Sequence, residues 1–97
     1  MRVAVIADEL TAVGWRLIGA RSYTPDEGAV PQAFDAALRD ADLVLITAQL
    51  AALLPRQRLA AALRASEPLL LVIADIANKL APADIEQEVA RALGVAA

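Results

Sequence analysis

Val3-Ala4-Val5-Ile6-Ala7, followed at once by Asp8-Glu9, is the stretch that decides the fold. A short apolar run with β-branched members and no polar alternation describes a strand buried on both faces. Asp8 stands where a helix N-cap belongs. Leu10, Val13, Leu17 and Ile18 then recur at helical spacing, so residues 9–17 read as an amphipathic helix with that stripe as its apolar face. Gly14 costs about 1 kcal/mol inside a helix relative to Ala. It reads as a point of close approach between helix and sheet. Gly19 ends the helix.

The same pattern repeats outward along the chain. Residues 20–24, Ala-Arg-Ser-Tyr-Thr, form a polar second strand suited to a sheet edge. Pro25-Asp26-Glu27-Gly28 is a turn. Val30, Phe34, Ala37, Leu38 and Ala41 share one face of a helix over about residues 31–40. Asp42 to Thr47 is a third, apolar strand, and Thr47 caps the next helix. Leu50, Leu53 and Leu54 open that helix, which Pro55 kinks or restarts, and Leu59, Ala62 and Leu63 carry its stripe onward. Leu69 to Ala74 is a fourth strand. Beyond the linker Asp75 to Ala81, Pro82 suits a first helical position, and Ile85, Val89, Ala92 and Leu93 share a face before Gly94.

Strands alternating with helices imply a parallel sheet covered on both faces. Right-handed crossovers then favour the flavodoxin-like (Rossmann-like) α/β order 2-1-3-4, with a C-terminal amphipathic helix added. The expected organisation is an α/β domain over residues 1–76 and a linker with a docking helix over 77–97.

Composition removes several classes of function. The chain has 97 residues, enough for one domain. Nine Lys+Arg against twelve Asp+Glu give a net charge of −3, which argues against a nucleic-acid module. There is no Cys and no His, so disulfides, thiolate nucleophiles, Cys-based zinc sites and imidazole chemistry are excluded. The longest apolar run, Leu69–Ala74, is far short of a bilayer span of about 18 residues. A cytoplasmic location is expected, with any membrane role exercised through a partner.

Parallel sheets bind ligands beyond the strand C-termini. That rim carries Asp8 and Glu9, Thr47 and Gln49, and Asp75. One reading makes Asp8, Glu9 and Asp75 a Mg²⁺ or ligand site. The other makes Asp8 a cap, Glu9 a dipole partner and Asp75 a solvated loop residue. A response-regulator receiver domain does not fit, because Ile46-Thr47 stands where its phosphoacceptor Asp ends the third strand, and a fifth strand is missing. No GxGxxG or GxxxxGK[ST] is present. Arg56, Arg58 and Arg64 read as a solvated helix face rather than an anion site. Trp15 is either an interface anchor or a half-buried ring closing the core. The last helix either covers an open patch on the sheet or reaches a partner groove.

The opening Met1-Arg2-Val3-Ala4-Val5-Ile6-Ala7-Asp8-Glu9-Leu10-Thr11-Ala12-Val13-Gly14-Trp15-Arg16-Leu17-Ile18-Gly19 resembles the F subunit of the V-type and A-type rotary ATPases. That family opens with a strand, an acidic turn, and a helix carrying Thr, Gly-aromatic-Arg-Leu and a final Gly. Leu43-Val44-Leu45-Ile46-Thr47 is similar to its third strand, and Ala90-Arg91-Ala92-Leu93-Gly94-Val95 to its C-terminal end. Where the family often carries Ile-Pro after its fourth strand, this chain has Ile73-Ala74-Asp75-Ile76.

The resemblance implies a non-catalytic subunit of the central rotor stalk that needs no cofactor. It implies that residues 82–94 pack along the D subunit, the coiled-coil shaft, beside the catalytic ring, with Ile85, Val89, Ala92 and Leu93 facing the shaft. Such a subunit couples ATP hydrolysis or synthesis to H⁺ or Na⁺ transport. It is peripheral to the membrane through its complex, and in isolation a monomer or weak homodimer is expected. The alternative is a flavodoxin-like ligand- or Mg²⁺-binding module using the rim at Asp8, Glu9 and Asp75.

Overall fold

The computed structural model describes residues 1–74. Strand β1 (Val3–Ile6) leads into helix α1 (Glu9–Arg16), then β2 (Arg21–Tyr23). A single 3₁₀ turn (Glu27–Ala29) precedes α2 (Val30–Asp40), followed by β3 (Leu43–Thr47). Two short helices, α3 (Ala48–Ala51) and α4 (Arg56–Arg64), cross to β4 (Leu69–Ile73). Pro55 therefore restarts the helix rather than kinking it, because it lacks the N–H an uninterrupted helix would need.

The four strands form one sheet in the order β2-β1-β3-β4, and every pairing is parallel. Ile6 lies opposite Tyr23 on one side and Ile46 on the other, and Ile46 lies opposite Val72. The side-chain period of two divides each strand between two cores. Ala4, Ile6, Val44, Ile46 and Leu70 face one way, against Val30, Phe34 and Ala37 of α2, Ala51 of α3, and Leu54. Phe34 is the largest of the fully buried side chains there. Val5, Ala7, Leu45 and Ile73 face the other way, against Ala12 and Trp15 of α1 and against Ala20. This is the expected flavodoxin-like architecture with helices on both faces.

The two faces are covered unequally. Among the described residues, α2, α3 and α4 share the first face and α1 alone serves the second. Leu69 and Leu71 of β4 point to that second face and stay exposed. Val72, opposite Ile46 on the first face, is exposed too, so among the described residues β4 is an open edge.

The stripe expected to be the apolar face of α1 points the wrong way for a core. Leu10, Leu17 and Ile18 are 64%, 83% and 72% exposed, and Val13 is exposed as well. The buried side of α1 consists instead of Thr11 and Ala12, with Trp15 half-buried beside them. Small side chains there let the helix sit close to the sheet. Gly14 has no part in that approach: a Cβ built on it meets no atom within 4 Å.

Candidate functional site

The rim beyond the strand C-termini is built by two caps of the same kind. Asp8 follows β1 in extended backbone, and its Oδ2 accepts the Thr11 N–H at 3.0 Å. Its Oδ1 accepts the Thr11 hydroxyl at 2.7 Å. Thr47, at the end of β3, has the same conformation, and its Oγ1 accepts the Leu50 N–H at 3.4 Å. Each residue satisfies orphan amides at a helix start. Glu9 is ion-paired with Arg16 two turns along α1. Gln49 lies within α3.

These contacts favour the capping reading of the rim acids over the ligand reading. Among the described residues, no group of three or more Asp, Glu, His or Cys is placed to hold a metal ion. Asp75, the third member of the proposed acidic set, lies outside the described residues. So do the linker, the domain boundary at 76/77, the last helix, and its stripe of Ile85, Val89, Ala92 and Leu93.

The helix-face arginines are accounted for in part. Arg58 pairs with Asp35 of α2, and its guanidinium carbon lies 5.8 Å from the Phe34 ring centroid. It ties α4 to α2 rather than marking an anion site. A hollow of ≈ 420 Å³ lies at the opposite end of the sheet, lined in part by Arg2, Arg21, Tyr23 and Asp40. There the Arg2 guanidinium Nε lies 3.9 Å from the Asp42 carboxylate, which also accepts the Arg2 backbone N–H at 2.7 Å, and Arg21 lies over the Tyr23 ring at 5.7 Å. Its cations have local partners, and it lies away from the strand ends where this fold binds ligands.

The second concavity is apolar. Leu10, Thr11, Gly14, Trp15 and Ile18 line a shallow groove of ≈ 270 Å³ on α1. Sequence periodicity found the aliphatic residues of this surface but assigned their stripe to the core. The signal that locates the true buried side is the parallel set Asp8, Thr11, Ala12 and Trp15. Its first two members are locked together by the cap.

A small parallel α/β module with capped rim acids and an exposed apolar helix has the character of a part in a larger assembly. Residues 3–91 match the family model of the ATP synthase (F/14-kDa) subunit. The chain belongs to that family, the F subunits of the V/A-type ATPases, and so to the accessory subunits of a rotary ATPase complex. Comparison with curated proteins gave no match. No helix among the described residues is long and apolar enough to cross a membrane.

Proposed function

We propose that this chain is a non-catalytic central-stalk subunit that binds the D subunit, the coiled-coil shaft, through residues 82–94. Ile85, Val89, Ala92 and Leu93 form the shaft-facing stripe. Through this contact the protein couples ATP hydrolysis or synthesis to H⁺ or Na⁺ transport, and it stays peripheral to the membrane. Residues 1–76 act as the folded α/β unit, and 77–97 as linker and docking helix.

The observation that carries this reading is the reach of the family match. It runs to residue 91, well past β4, and so takes in Ile85 and Val89. The occupied rim supports it from the other side, since Asp8 and Glu9 are engaged in helix capping and an ion pair. A lone helix of this length is marginal in water and requires a surface to dock on.

Deleting residues 80–97 tests the reading. The expected result is loss of binding to the shaft subunit with the α/β domain still folded by circular dichroism. Unfolding of the truncated chain would make the segment part of the core and overturn the interface assignment.

A further inference from the structure

We draw no further inference here: the strongest candidate, the exposed apolar patch of Leu10, Val13 and Leu17 along the outer face of α1, carries nothing because no contact among the described residues shows what covers it.

Discussion

Thr11 holds both carboxylate oxygens of Asp8, donating its backbone N–H to Oδ2 at 3.0 Å and its hydroxyl to Oδ1 at 2.7 Å. The pair fixes where α1 begins and which side of it meets the sheet, because Thr11 is buried. Replacing Asp8 with Ala removes the cap and should cost about 1 kcal/mol. Urea unfolding should show a lower midpoint with an unchanged slope. Asp8→Asn keeps an acceptor and should lose less.

The same contacts predict indifference to magnesium. A ligand present at 100 times its Kd would add about 2.7 kcal/mol of stability. With the Asp8 oxygens bonded to Thr11 and Glu9 paired to Arg16, millimolar Mg²⁺ should leave the melting temperature essentially unchanged. A rise of several degrees would restore the ligand-binding reading of the rim.

Phe34 and Arg58 should separate sharply despite lying together. Phe34 is wholly buried between α2 and the sheet, so Phe34→Ala should cost about 3–5 kcal/mol. Arg58 is partly exposed, as is its partner Asp35. Arg58→Ala should cost no more than about 1 kcal/mol. Chemical denaturation of the two variants checks the contrast.

Gly19 and Gly14 are expected to respond oppositely to alanine. Gly19 ends the turn after α1 with φ at 96°, a conformation that a Cβ disfavours by about 1–2 kcal/mol. Gly19→Ala should therefore lower the melting temperature. Gly14→Ala meets no neighbour and gains helix propensity, so it should raise it. Thermal scans of the two variants decide the point.

Much of this architecture was legible in the sequence because parallel strands leave a strong mark. Val3–Ala7, Leu43–Thr47 and Leu69–Ile73 are apolar without alternation, and the sheet places a strand in each. The polar Arg21–Tyr23 falls at the edge, where its composition puts it. The facing of α1 was not legible. Periodicity shows that Leu10, Val13 and Leu17 share a side, but it does not say what that side meets. Thr11, Ala12 and Trp15 share a side equally well, and the small volumes of the first two and the Asp8 cap decide the matter in favour of the sheet. The exposure of Leu69, Leu71 and Val72 among the described residues escaped for a related reason: a strand's sequence does not report how much cover its neighbours supply. Within the candidate site, the caps at Asp8 and Thr47 were readable from position alone, while the Arg58–Asp35 tie joins elements too far apart in sequence to be inferred.

The most direct test of the central claim is the affinity of the full chain for the isolated coiled-coil shaft subunit, measured for wild type and Val89→Glu. The stalk assignment predicts tight binding by wild type and at least a tenfold loss in the variant, with the melting temperature of the α/β domain unchanged. Equal binding by both, or no binding by wild type, would contradict it.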